Sequence, residues 1–129
     1  MGQRIRQVRN PMQPKVIDPG EVAAEHVYPD APSKVIKRNL VTHRDDAPNF
    51  GMRLFEVEAG GATDHHQHPW EHEVFIVSGS GHLLTDDGLK PFAQGQAVFV
   101  PPMAMHQFQN TGAAPLQFIC MIPNSGDCQ

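Results

Sequence analysis

The chain is poor in cysteine. It holds two among 129 residues, Cys120 and Cys128, too few for a disulfide framework, and Cys128 stands next to the C-terminus, a poor place for a fixed bridge. A reducing, cytoplasmic setting is the expectation. Long apolar runs are missing as well. None approaches the ~20 residues that a membrane span needs, and no apolar segment follows the positive N-terminus as a secretory signal would require. Neither a membrane partner nor secretion is expected. The chain has no long basic stretch, and its formal net charge is −4. Arg4, Arg6 and Arg9 form a small basic arm that reads as a solvated tail, so a nucleic-acid partner is not expected either. Past residue 33 there is no convincing 3.6-residue apolar period, which leaves little room for amphipathic helices. The length suits one domain with a real core and is too short for two.

What is present is punctuation and alternation. The 12 prolines and 11 glycines are scattered without a fixed period, a pattern that suits many short strands joined by turns. Pro11, Pro14, Pro19, Pro29 and Pro32 rule out a long helix in residues 1–32. That region is expected to be an irregular arm over the barrel or a partner subunit, with a short helical turn near Glu21 to Glu25 capped by Asp18. Strands are expected over 33–42, 50–58, 72–78, 82–85, 89–92, 97–100, 105–109 and 116–122, with Asp87-Gly88 as a hairpin turn. Within 50–58, Met52, Leu54 and Glu56 share one face and Arg53, Phe55 and Val57 the other. The expected organisation is an arm (1–32), an all-β antiparallel jelly-roll barrel (33–123) and a loose tail (124–129).

The chemistry concentrates in His66-Gln67-His68-Pro69-Trp70-Glu71-His72, three imidazoles within seven residues. Strand residues two apart point the same way, so His66 and His68 can both face inward. His72 opens the next strand on the face of Val74 and Ile76, and His106 lies beyond a hairpin-like segment. Neutral imidazole is the commonest protein metal ligand, and inward imidazoles without a metal would each need another partner for a ring nitrogen. His68 to His72 also spells the H-x-x-E-H string of inverted zinc peptidases. That chemistry needs both histidines on one helical face, and Pro69 and the strand-like Val74 to Val77 argue against a helix.

These residues resemble the cupin superfamily. Its first motif, G-x5-H-x-H-x3,4-E-x6-G, is matched by Gly60, His66, His68, His72 and Gly79, with His72 at the glutamate position. The four-residue spacer would put Glu73 there instead, but it loses the closing glycine, and strand parity turns Glu73 away from His72. The second motif, G-x5-P-x-G-x2-H-x3-N, is matched by Gly95, Pro101, His106 and Asn110, with Met103 replacing the middle glycine. The all-histidine set, with the ending Phe118-Ile119-Cys120-Met121-Ile122-Pro123, resembles the small four-histidine manganese cupins. That resemblance implies a cupin jelly roll holding one divalent transition metal on His66, His68, His72 and His106, manganese first, then iron, zinc, nickel or copper. It also implies dioxygenase-like chemistry on a small organic molecule with O₂, including oxidative C=C cleavage, and a homodimer.

Four neutral ligands leave a divalent ion its full charge, so such a site favours anionic or oxygen-donor guests. Octahedral coordination would leave two open positions, the layout of a Lewis-acid or oxygen-activating centre, whereas tetrahedral zinc would leave none. A metal-dependent oxygenase is the first functional expectation. A non-redox lyase or isomerase and a non-catalytic small-molecule binder are the alternatives, and fold alone does not separate them.

Four further residues are candidates for the substrate pocket, each with a plainer reading. Cys120 shares a face with Leu116, Phe118 and Ile122 and can reach the pocket or serve as a small buried apolar residue. Phe108 can limit substrate width or simply fill core. Trp70 can wall the pocket or pack elsewhere. Arg53 can orient an anionic substrate if it faces inward, although an exposed strand arginine is the ordinary case. His65 is expected at the surface, opposite His66, and His26, His43 and His82 have no companion at ligand spacing. Asn110 is expected to fix a turn. Phe75 and Val77 would form an exposed apolar strip in a monomer, a candidate partner surface.

Overall fold

The computed structural model describes residues 13–27 and 34–127. The basic arm at Arg4, Arg6 and Arg9, Cys128, and Pro11, Pro29 and Pro32 lie outside the described residues. Nine strands follow in order: β1 (Glu25–His26), β2 (Val35–Val41), β3 (Phe50–Val57), β4 (His72–Ser78), β5 (Ser80–Thr85), β6 (Gly88–Ala93), β7 (Ala97–Val100), β8 (Gln107–Asn110) and β9 (Leu116–Pro123). They form two antiparallel sheets. The larger has the order β1-β2-β3-β9-β4-β7 and the smaller β6-β5-β8. This is the all-β jelly roll expected from the strand pattern.

Alternation decides which residues make the core. In β9 every second side chain, Leu116, Phe118, Cys120 and Ile122, is buried. The same parity buries His72, Val74 and Ile76 in β4 and turns Glu73, Phe75 and Val77 outward. Val57, Ile76 and Leu116 are fully buried, and each such aliphatic side chain contributes about 1.5–3 kcal/mol relative to exposure. In β2 the alternation breaks, since Val35 and Leu40 are both buried although five residues apart. The pairing of β2 with β3 slips between Asn39 and Val41. One extra residue there reverses the faces.

The helical turn in the arm lies at Pro19–Glu21, earlier than expected, and Glu25 belongs to β1 instead. Asp18 caps it from both sides: its side chain accepts from Gly20, and Glu21 returns to the Asp18 backbone. That box closes after one turn, and the chain then joins the edge of the larger sheet. Arg38 ties the arm down by donating to the Val22 carbonyl at 2.6 Å. The last residues are not all loose, because Asn124–Asp127 makes a single helical turn and the Asn124 amide donates to the Asn49 carbonyl.

The two glycine-bearing motifs show why they need their residue types. Gly79 has φ +90°, and a Cβ there would stand 2.8 Å from the Pro115 carbonyl oxygen, so only glycine fits the bend between β4 and β5. Met103 stands where the second motif has glycine, and it adopts φ 65°. The turn therefore keeps the left-handed conformation, with a side chain in a region that disfavours one.

Candidate metal centre

His66 and His68 do not sit in a regular strand. They lie in the connection before β4, and His66 forms an isolated antiparallel bridge with His106. The two backbones exchange hydrogen bonds at 3.2 and 3.0 Å. The parity argument for His66 and His68 therefore survives in extended chain without a full ladder. Next to this bridge the Met103 amide donates to the His68 carbonyl at 2.7 Å, so the strained turn clamps the His68 segment. His72 arrives from the start of β4.

These three elements bring His66, His68, His72 and His106 together, with one donor atom from each within 4.8 Å of all the others. His72 and His106 are buried, and His66 and His68 are half-buried. The rings meet edge to face, with centroids 4.5 Å apart for His68 and His72 and 4.9 Å for His66 and His106. His65 is exposed, as are His26 and His43.

The hydrogen bonds fix tautomers. A backbone carbonyl can only accept. His68 Nδ1–H therefore donates to the Trp70 carbonyl at 2.8 Å, and His106 Nδ1–H donates to the Ala104 carbonyl at 2.8 Å. In the neutral rings this leaves both Nε2 atoms as lone pairs directed to the centre. His68 Nε2 stands 2.8 Å from His72 Nε2, and His72 Nδ1 lies 3.0 Å from Cys120 Sγ. Two ring nitrogens at 2.8 Å have either a proton on His72 Nε2 or a cation between them. Nitrogens bound ~2.1 Å from one ion stand roughly 3–4 Å apart, so the donor set fits a divalent transition metal.

Burial also keeps the rings neutral. All four imidazoles are pushed below their ordinary range, chiefly because a charged ring would lose its hydration. His72 goes furthest, to about 2, with the positive charge of Arg53 as the second cause. Neutral imidazole is the form that binds metal.

The cluster opens into a cavity of about 250 Å³. Its apolar wall is a stack of phenylalanines: Phe55 lies 5.2 Å from Phe118, and Phe118 lies 4.7 Å from Phe108. Trp70 stacks on His68 with centroids 4.2 Å apart and planes 7° apart. Cys120, Phe108, Trp70 and Arg53 all line the cavity. Cys120 combines its two readings, being 2 % exposed and also part of the wall. Its thiol is pushed up by burial and so is held neutral. For Arg53 the inward reading holds and the exposed one is overturned. It lies on the face of Phe55 and Val57, donates from Nη2 to Cys120 Sγ at 3.3 Å, and sets its guanidinium 5.0 Å from the Phe55 centroid.

Five lining residues were not expected at the pocket: Val27, Lys37, Phe55, Thr63 and Phe118. Lys37 shares the parity of buried Val35, a usable signal. Thr63 had none, because it lies in irregular chain. Its Oγ1 accepts from the Phe108 amide at 2.9 Å. Asn110 does fix a turn: its side chain donates to the carbonyls of Val57 and Ala114 and accepts from the Gly112 amide.

The cupin domain family (Cupin_2) matches residues 53–122, from Arg53 to the end of the inward row on β9. The chain is a cupin. Among relatives, it is 33 % identical over 93 residues to protein SchB of Streptomyces halstedii, covering 70 % of this cupin and 67 % of SchB. It is 32 % identical over 71 residues to the 1-methylthio-D-xylulose 5-phosphate methylsulfurylase of Rhodospirillum rubrum, covering 55 % of this cupin. The matched part spans only about half the length of that enzyme, 46 %. Among solved structures, the polyketide cyclase RemF of Streptomyces resistomycificus superposes with a TM-score of 0.78 at 29 % identity, over 87 % of this cupin and 80 % of RemF. Among the described residues, no helix is long and apolar enough to cross a membrane.

Proposed function

We propose that this cupin is a metal-dependent oxygenase acting on a small organic molecule, with His66, His68, His72 and His106 as the metal ligands. One observation carries the choice of chemistry. Among the described residues, the lining of the cavity contains no carboxylate, and each of its imidazoles belongs to the four-histidine cluster. A reaction driven by proton abstraction has neither a carboxylate nor an imidazole outside the cluster to serve as its base there. A divalent transition metal would supply Lewis acidity, and manganese or iron would add electron transfer with O₂.

The protein's own part is orientation and exclusion. The carbonyls of Trp70 and Ala104 hold two of the rings by their Nδ1–H groups, as partners beyond the ligands commonly do. The Phe55–Phe118–Phe108 stack and Trp70 shape a flat, apolar slot that limits water and suits a planar substrate. The test is O₂ consumption by manganese- or iron-loaded protein across unsaturated and dicarbonyl substrates. Uptake coupled to product is expected, and no uptake with any loaded metal would overturn the reading.

A second reading, non-redox Lewis-acid chemistry by a lyase, isomerase or cyclase, is favoured by the relatives. RemF is named a polyketide cyclase and the Rhodospirillum relative a methylsulfurylase, and neither name describes an oxygenase. Turnover that persists without oxygen would select it. Assembly as a homodimer belongs to the same proposal. On the outer face of the larger sheet, Phe75 and Val77 of β4 and Phe99 of β7 are exposed by 50 %, 40 % and 58 %. Adjacent strands carry them as one apolar patch of the kind that a second copy covers.

A further inference from the structure

We propose that Arg53 is the anchor for an anionic group of the substrate, so that the natural substrate is a small aromatic or unsaturated organic acid. The inference rests on the reading of the histidine cluster as a substrate-binding metal centre and names what that centre takes. Arg53 is a cation set into the wall of the cavity beside the cluster. Only the sulfur of Cys120 separates it from His72: Nη2 reaches Sγ at 3.3 Å, and Sγ reaches His72 Nδ1 at 3.0 Å. Its Nε is buried and has no hydrogen-bond partner. Among the described residues no carboxylate pairs with it.

This is an expensive arrangement for a fold to keep. A half-buried cation without a counter-ion gives up hydration that the wall returns only in part, and a buried N–H without an acceptor adds to the loss. The neighbouring sulfur is only a weak acceptor for a guanidinium N–H, and it meets Nη2 alone, at 3.3 Å. The Phe55 ring offers only a weak cation–π contact at 5.0 Å. A carboxylate or comparable oxyanion in the cavity would meet both needs, because the guanidinium fork matches two oxygens at once. The rest of the cavity defines the body of that guest. Its volume of about 250 Å³ falls just below the roughly 300–1,000 Å³ usual for drug-sized ligands. Phenylalanine rings and Trp70 wall it, which selects a planar, apolar frame. The guest then carries an oxygen donor for the metal at one end and its acid group at Arg53.

The experiment compares 4-hydroxybenzoate with 4-hydroxybenzamide, which share shape and differ in charge. Binding to manganese-loaded protein, kept free of oxygen, is followed by calorimetry and by the fluorescence of Trp70, the single tryptophan of the chain. The wild type is expected to prefer the acid. Arg53→Gln should weaken the acid by about 10- to 100-fold, the usual worth of a charge-assisted contact, and leave the amide within about twofold. Arg53→Lys should recover part of the loss. Equal binding of acid and amide by the wild type overturns the proposal and needs no variant. Undiminished acid binding by Arg53→Gln that retains its manganese overturns it as well. Repeating the titration on metal-free protein separates the two claims. Acid binding that is indifferent to manganese but lost in Arg53→Gln sinks the metal-centre reading and spares Arg53. Binding that needs manganese but ignores Arg53 does the reverse.

Discussion

Replacing His72 by alanine tests the metal centre directly. His72 is 7 % exposed, and its Nε2 faces His68 Nε2 at 2.8 Å. The change should act in two separable ways. In metal-free protein it removes a buried polar side chain and the Cys120 contact, a loss of about 1–2 kcal/mol. In the presence of metal it removes one of four donors. A metal at 100 times its dissociation constant stabilises the folded wild type by about 2.7 kcal/mol. For a domain of this size that corresponds to roughly 10 °C in Tm. If losing the donor weakens binding about 100-fold, the same metal concentration gives the variant about 0.4 kcal/mol, a shift of roughly 2 °C. The assay is a melting curve with and without manganese or zinc, joined to metal stoichiometry by elemental analysis. His65→Ala, at an exposed neighbour, should keep the full metal-dependent shift. If His72→Ala matches the wild type in stoichiometry and in that shift, the four-ligand assignment is wrong.

Three further outcomes follow from the same structure. Metal-free protein should lose stability in acid: the His72 imidazole is held down to about 2 by burial and by Arg53, whereas in the unfolded chain it titrates near 6.5. Stability is then full above about pH 6.5 and falls by about 1.4 kcal/mol per unit below it for this one group; urea midpoints that stay level from pH 7.5 to 5 would contradict this. Met103→Gly should raise the urea midpoint by about 0.5–1 kcal/mol in free energy, since φ 65° at Met103 is relieved by glycine, and a lower midpoint would show that the Met103 side chain outweighs the backbone. Phe75→Glu, on the exposed outer face, should leave Tm within about 1 kcal/mol of stability while converting a dimer to a monomer in light scattering; a wild type that is already monomeric would remove the pairing proposal.

Most of the barrel was legible in the chain because strand burial has a period of two. The rows Leu116-Phe118-Cys120-Ile122 and His72-Val74-Ile76 announce their inward faces by residue type alone. Arg53 shows where that reading strained. Parity with Phe55 and Val57 turned it inward, while the ordinary exposure of arginine pulled the other way. Parity prevailed, because a strand residue cannot leave its face without breaking the ladder. Lys37 carried the same signal beside Val35. Thr63 and Val27 carried none, since both sit in irregular chain whose direction depends on distant partners. The strand Glu25–His26 was hidden for a similar reason: two residues have no pattern of their own, and pairing with β2 defines them.

By itself, then, the sequence determined the alternation that makes a two-sheet barrel, the glycine at the Gly79 bend, and a donor set made only of imidazoles with His72 where cupins usually carry glutamate. Those are local properties of residue type and spacing. Convergence was decided only by tertiary structure. His66 and His106, forty residues apart, meet through a backbone bridge, and the carbonyls of Trp70 and Ala104 decide which ring nitrogen points to the centre. The same holds for the cation in the wall. Arginine at position 53 is an ordinary strand residue until β9 brings Cys120 beside it and closes the cavity around a charge that the described protein wall leaves unmatched.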